Sequence, residues 1–151
     1  KIWFGGGKLI KLLGYTKHIG LNKMLNFGKY KTRKIDYISG CCMLIKKDLI
    51  DQLGGFSENY TMYYEDVDLC IRAKNNNIDC YIVDDTKIIH DFSSSFSGKF
   101  KIKKIFFKFK SLLTFVYLNN KFILFIPVLL FHLVLFPFYL IIYFLKVIFR
   151  K

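Results

Sequence analysis

Hydrophobic positions fall into short runs up to about residue 96 and then into one long run near the end of the chain. Ile2, Trp3 and Phe4 lead into Gly5, Gly6 and Gly7, the pattern of a strand opening into a loop. Residues 37–45 are almost continuously apolar with β-branched members, which predicts a strand buried on both faces. Residues 46–53 put Leu49, Ile50 and Leu53 at helical spacing, and Gly54 and Gly55 supply the stop. A second helix is predicted over 65–75. Val67, Cys70 and Ile71 form its apolar stripe, Asp68 and Arg72 an i, i+4 pair, and three asparagines end it. Two short strands follow at 78–83 and 87–90, joined by a turn at Asp84, Asp85 and Thr86. Strands alternating with helices predict an α/β layer.

The long run is of another kind. Residues 122–145 are 24 positions without Asp, Glu, Lys or Arg, and His132 is their one titratable group. As a helix they reach roughly 36 Å, enough to cross a hydrocarbon layer of about 30 Å. Pro127 and Pro137 are places for a kink, or for a hairpin returning to the same face. A globular part of about 95 residues is too small to bury such a helix on all sides, so a membrane segment is expected.

Composition and charge sharpen this division. The 151 residues are 53% hydrophobic with mean hydropathy +0.28, too apolar for a disordered chain and too short for two full domains. Lys and Arg number 24 against 11 acids, a net charge of +13 that calls for an anionic partner. Six lysines between residues 99 and 110 alternate with aromatic and aliphatic side chains, the composition of a cationic interfacial segment drawn to anionic lipid. They place the globular part on the cytoplasmic side by the excess of positive charge. No nucleic-acid-binding motif accompanies the lysines, so nucleic acid is not an expected partner. Cys41, Cys42, Cys70 and Cys80 match neither a disulfide framework nor a zinc site and read as reduced thiols.

Three positions carry candidate chemistry. Glu65, Asp66 and Asp68 crowd three carboxylates into the start of a helix beside Tyr60, Tyr63 and Tyr64. The macrodipole accounts for acids there, and Asp68 has Arg72. A carboxylate crowded against aromatic surface is also suited to general-base work. His90, at a strand end and followed by Asp91, is either structural or a metal ligand. Gly5, Gly6 and Gly7 read as an ordinary turn or a weak phosphate cradle, since neither a Walker lysine nor GxGxxG follows.

In order, Trp3-Phe-Gly-Gly, Asp36-Tyr-Ile-Ser-Gly, Met43-Leu-Ile-Lys-Lys, Gly54-Gly-Phe-Ser-Glu, Tyr63-Tyr-Glu-Asp-Val-Asp-Leu-Cys-Ile-Arg and Ile89-His resemble the second half of a family-2 glycosyltransferase, the rhamnosyltransferase-like branch above all. The resemblance covers residues 2–96 and is strongest at Gly-Gly-Phe followed by Glu-Asp-Val-Asp-Leu-Cys-x-Arg. It implies the C-terminal half of a GT-A fold, an α/β architecture, at residues 1–97. A basic amphipathic segment at 98–120 and a membrane helix or hairpin at 121–151 would follow. It implies inverting transfer of a sugar, rhamnose being one candidate, from a nucleotide-sugar donor to a cell-surface glycan or a lipid-linked acceptor. On it Asp66 is the catalytic base and Glu65 shapes the acceptor site; Trp3, Gly5, Gly6, Ser39 and Gly40 line the substrate pocket. His90 joins a Mg²⁺ or Mn²⁺ ion that neutralises the leaving diphosphate. Tyr117-Leu-Asn-Asn is similar to a Tyr-x-x-Arg-Asn element that follows such domains, with Asn119 where Arg is expected.

The family's donor-binding half, with its Asp-x-Asp metal motif, is expected before Lys1. Asp66-Val-Asp68 has the same letters but sits on the base-bearing helix. The alternative to a transferase fragment is a non-catalytic, membrane-anchored remnant or interaction module.

Overall fold

The computed structural model describes residues 1–24, 32–83, 86–90, 101–120 and 122–148. The turn expected at Asp84 and Asp85, Asp91 with the serines after it, and the first lysine of the basic stretch lie outside these residues. In chain order the elements are β1 (Gly7–Ile10), a 3-10 turn (Lys11–Leu13), β2 (Tyr15–His18), β3 (Arg33–Ile35), α1 (Lys47–Gln52), α2 (Glu65–Asn75), β4 (Cys80–Ile82), α3 (Lys101–Asn119) and α4 (Phe122–Ile148). The result is a mixed helix-and-strand unit with one long apolar helix.

The strands form two antiparallel ribbons, β1 with β2 and β3 with β4, with Gly7 opposite His18 and Ile35 opposite Cys80. A bridge between Gly7 and Tyr37 joins them, Gly7 N–H donating to the Tyr37 carbonyl at 3.1 Å and Asp36 N–H to the Gly7 carbonyl at 3.0 Å. Tyr37 lies flat over Gly7, where a Cβ would overlap the ring carbons. Gly7→Ala therefore forces the ring or the bridge apart. The expected loss is on the order of 1–3 kcal/mol, read as a lower denaturant midpoint with an unchanged slope.

The helix predicted over 65–75 is α2, and its stripe Val67, Cys70 and Ile71 joins Tyr37, Tyr60, Tyr64 and Phe115 in the core. The helix predicted over 46–53 is α1, stopped at Gly54 and Gly55, both in the left-handed region at φ +73° and +71°.

Other expectations are corrected. No strand runs over 37–45 beyond the bridge at Tyr37. The reason lies in where its N–H groups go: Ile38 donates to Cys70 Sγ, Gly40 to the Asp66 carboxylate, and Cys42 to the Ser39 carbonyl. Side chains and a local turn consume the donors that a neighbouring strand would need. Residues 2–4 are not a strand either, since the ribbon begins at Gly7. Residues 87–90 form no ladder. The prolines make no hairpin: α4 is one helix with Pro127 and Pro137 inside it.

α3 and α4 pack on the 3-10 turn between β1 and β2. Phe115 and Val116 of α3 are fully buried, and Gly14 faces Leu112 so closely that a Cβ would come within 2.6 Å of it. Tyr64 Oη donates to the Gly14 carbonyl at 2.7 Å, Asn120 Nδ2 to the Leu12 carbonyl at 3.1 Å, and Ser111 Oγ to the Met62 carbonyl at 2.7 Å. The Tyr-x-x-Arg-Asn-like segment is thus the end of α3, with Asn120 gripping the ribbon.

Candidate active site

α2 positions the three acids through the residues before it. Tyr63 and Tyr64 both adopt the left-handed backbone conformation, φ +68° and +69°. Such geometry costs on the order of 1–3 kcal/mol per residue and persists only where packing enforces it. The Tyr64 hydroxyl on Gly14 and the ring against Phe115, centroids 5.4 Å apart, supply that packing. Burial pushes the Tyr64 phenol well above its usual pKa.

Asp66 and Asp68 face different surroundings. Asp68 is 5% exposed; it accepts hydrogen bonds from Arg72 Nε at 2.8 Å and Tyr60 Oη at 3.2 Å. Arg72 continues to the Leu53 carbonyl and, at 2.8 Å, the Gly55 carbonyl. The motif that joins Gly-Gly-Phe to Asp-Leu-Cys-x-Arg is therefore a clamp: an acid on α2 orients an arginine that holds the end of α1. Asp66 lies in a part-exposed position. Its Oδ2 accepts from Gly40 N–H at 2.9 Å and its Oδ1 from Val67 N–H at 2.8 Å. A carboxylate has about four acceptor sites, so two backbone donors fix this one and leave capacity for a substrate proton.

Glu65 borders the same carboxylate. Its Oε2 is buried without a hydrogen-bond partner among the described residues. Burial first, and the Asp66 charge after it, hold its carboxyl above the usual range. A pKa raised by folding means that the protonated form suits the fold. Stability is present in full below about 4.5 and declines as pH rises through the raised value. Glu65→Gln removes that decline. We expect its Tm to exceed the parent's by no more than a few degrees at pH 7 and to converge with it in acid, measured by thermal melts across pH.

Gly40 stands beside Asp66, with Ser39 preceding it in a local turn. A Cβ on Gly40 would sit 3.5 Å from Asp66 Cβ, in ordinary contact. Gly5 and Gly6 lie deeper: Gly5 N–H donates to the Ile19 carbonyl at 3.0 Å, and a Cβ on Gly6 would press on Ile35 at 2.8 Å. They permit close chain packing and do not form an open phosphate cradle. Trp3 heads a group of rings, 5.2 Å from His18 edge-on and 4.7 Å from His90 in a tilted stack. His18 also meets Phe4 at 5.0 Å and Tyr37 at 6.3 Å.

His18 escaped sequence reasoning. Its Nδ1 lies 3.3 Å from the Trp3 carbonyl, which can only accept, so Nδ1 carries the proton and Nε2 is left as an acceptor. Burial holds its pKa down, the Trp3 carbonyl opposes this, and Lys108 and Asp66 act from opposite signs. His18 therefore shares the electrostatic field of Asp66. The available signal was two four-residue runs separated by a short segment ending in Gly14, a hairpin pattern.

Among the described residues no three His, Cys, Asp or Glu side chains stand together to hold a metal. His90 rests on the Trp3 ring and not in a carboxylate cluster, so the described residues alone do not make a metal centre. A cavity of about 320 Å³ is lined by Leu9, Lys11, Asp36, Ile71, Lys74 and Asn75 and does not include Asp66.

The known proteins that resemble this chain are glycosyltransferases. The chain is 34% identical over 71 residues to the low-salt glycan biosynthesis hexosyltransferase Agl10 of Haloferax volcanii, covering 45% of this chain and 23% of that one. It is 49% identical over 37 residues to the N-acetylglucosaminyl-diphospho-decaprenol L-rhamnosyltransferase of Mycobacterium tuberculosis, covering 24% and 12%. It is 33% identical over 94 residues to the rhamnosyltransferase WbbL of Escherichia coli K12, covering 60% and 36%. The chain is a homologue of glycosyltransferases, and homology to them implies a GT-A-like fold. The matched relatives include a hexosyltransferase as well as rhamnosyltransferases. The chain spans between about an eighth and about a third of the length of these relatives. No family profile and no solved structure matches it.

Proposed function

We propose that this chain is the acceptor-side, C-terminal portion of an inverting family-2 glycosyltransferase, with Asp66 as its general base. The supporting observation is the division of labour on α2. Asp68 is buried and committed to Arg72, whereas Asp66 is held by two backbone N–H groups with acceptor capacity to spare. An acceptor hydroxyl donates its proton to Asp66 while its oxygen forms a bond to the anomeric carbon. The bond from that carbon to the nucleoside diphosphate breaks on the opposite side, inverting the configuration.

Trp3, Phe4 and His18, all half-buried, offer ring faces for a sugar, and Asp66 with Gly40 stands within electrostatic reach of His18. The donor is a nucleotide sugar, and rhamnose is the candidate suggested by the named relatives. The acceptor is a cell-surface glycan or a lipid-linked one; the mycobacterial relative's name, with its diphospho-decaprenol, favours the lipid-linked form. A Mg²⁺ or Mn²⁺ ion belongs to the same reading, with His90 as one donor and its main ligands outside these residues. The apolar helix and the lysines of α3 support work at the cytoplasmic face of a membrane. The test is sugar transfer by the intact protein carrying Asp66→Asn.

A further inference from the structure

The long apolar helix is docked on one side between Phe125 and Phe136. Its inward positions are Phe125, Val128, Leu129, His132, Leu135 and Phe136, an i, i+3, i+4 stripe over the middle of the helix. His132, 3% exposed, lies with Nε2 at 2.7 Å from the Leu13 carbonyl, so Nε2 carries the proton. Phe136 stacks on Phe109 of α3 at 4.3 Å, and Phe125 meets Tyr117 at 5.3 Å, which makes α3 and α4 an antiparallel pair. The outward face remains apolar, with Leu124, Phe131, Phe138 and Leu145, each seven residues apart, 42% to 58% exposed.

This docking conflicts with an upright span. The stretch long and apolar enough to cross is Leu124–Ile142, centred on Leu133. His132 ties that centre to the turn carrying Lys11, and Phe136 ties the next turn to Phe109, flanked by Lys108 and Lys110. An upright α4 would draw these three cations toward the middle of the bilayer, where charge is strongly disfavoured. Laid flat, α4 sinks its outward face among the acyl chains while Lys103 and Lys110, both exposed on α3, remain within reach of anionic headgroups.

Building on the membrane reading above, we infer that α3 and α4 form a monotopic anchor lying in the plane of an anionic bilayer surface, and that α4 does not cross. One layer of lipid is the occupant of the apolar face.

The experiment uses the whole chain with Cys41→Ser and Cys42→Ser, so that the exposed thiols do not compete for label. Leu124→Cys, Phe131→Cys, Phe138→Cys and Leu145→Cys are introduced singly and labelled with an environment-sensitive fluorophore. Quenching by lipids spin-labelled at graded depths is measured in vesicles of phosphatidylcholine and phosphatidylglycerol. The sites run roughly 31 Å along the helix. The expected result is one common depth, about 5–10 Å below the headgroups. A profile that is shallow at Leu124, about 12 Å deep at Phe131, about 7 Å at Phe138 and outside the hydrocarbon at Leu145 would overturn the inference while leaving the membrane reading intact. Absence of vesicle binding would overturn both, and the transfer assay stands apart from either. Labels that stay unquenched while the chain runs as a dimer would put a second copy on this face and also overturn it. Replacing Lys103 and Lys110 together by glutamine should weaken binding to the anionic vesicles roughly thirtyfold and leave binding to pure phosphatidylcholine nearly unchanged; equal loss on both would count against the headgroup contact.

Discussion

Asp66→Asn should lower kcat for sugar transfer by roughly 10² to 10⁴-fold, the range that a positioned proton acceptor contributes. The change is nearly isosteric but not silent for the fold. The carboxylate takes Gly40 N–H on one oxygen and Val67 N–H on the other, and an amide offers an acceptor to only one of them. The other N–H then faces an NH₂ group, which costs on the order of 1 kcal/mol and should appear as a small fall in Tm. A turnover defect far larger than that fall, with the KM for donor held, identifies a chemical role. Turnover near that of the parent would reject Asp66 as base. Glu65→Gln is the internal comparison. It alters the neighbouring carboxyl, whose raised pKa reflects burial, and should change the KM for acceptor more than kcat.

The two acids differ in a way that spacing alone does not reveal. Three carboxylates at a helix start were plain in the sequence, and so was the Asp68–Arg72 pair. That Arg72 reaches on to Leu53 and Gly55, and so takes Asp68 out of play, depends on where α1 ends in space. The helices were legible because a stripe at helical spacing and a glycine or asparagine stop are local signals. The apolar run over 37–45 misled because buried strand and buried loop share a composition. Ile38, Gly40 and Cys42 give their N–H groups to Cys70, Asp66 and Ser39, partners settled by tertiary contact for the first two. His18 was passed over for a related reason: its ring gains meaning only when the β1–β2 ribbon folds it against Trp3 and Phe4. In α4 the sequence is uniformly apolar and so names no face. His132 alone marked a side, and it is the side that docks.

Arg72→Met should destabilise the fold by about 3–5 kcal/mol, the cost of leaving the buried Asp68 charge without its partner. Asp68 would keep a buried charge with only the Tyr60 hydroxyl to meet it, and the carbonyls of Leu53 and Gly55 would lose their donors. Against a total of roughly 5–15 kcal/mol for a domain, that is a large share, read from denaturant unfolding. Should that variant fail to fold, Arg72→Lys keeps the question answerable. An ammonium retains the charge beside Asp68 but lacks the planar fork that reaches three acceptors at once, so an intermediate loss is expected. Asp68→Asn combined with Arg72→Met should recover part of the loss, because the uncompensated charge is gone while the α1 carbonyls stay unmet. A loss under about 1 kcal/mol for Arg72→Met would show that the arginine does not hold the end of α1. The link between the Gly-Gly-Phe turn and α2 would then have to come from packing alone, and Asp68 would return as a rival to Asp66 for the proton.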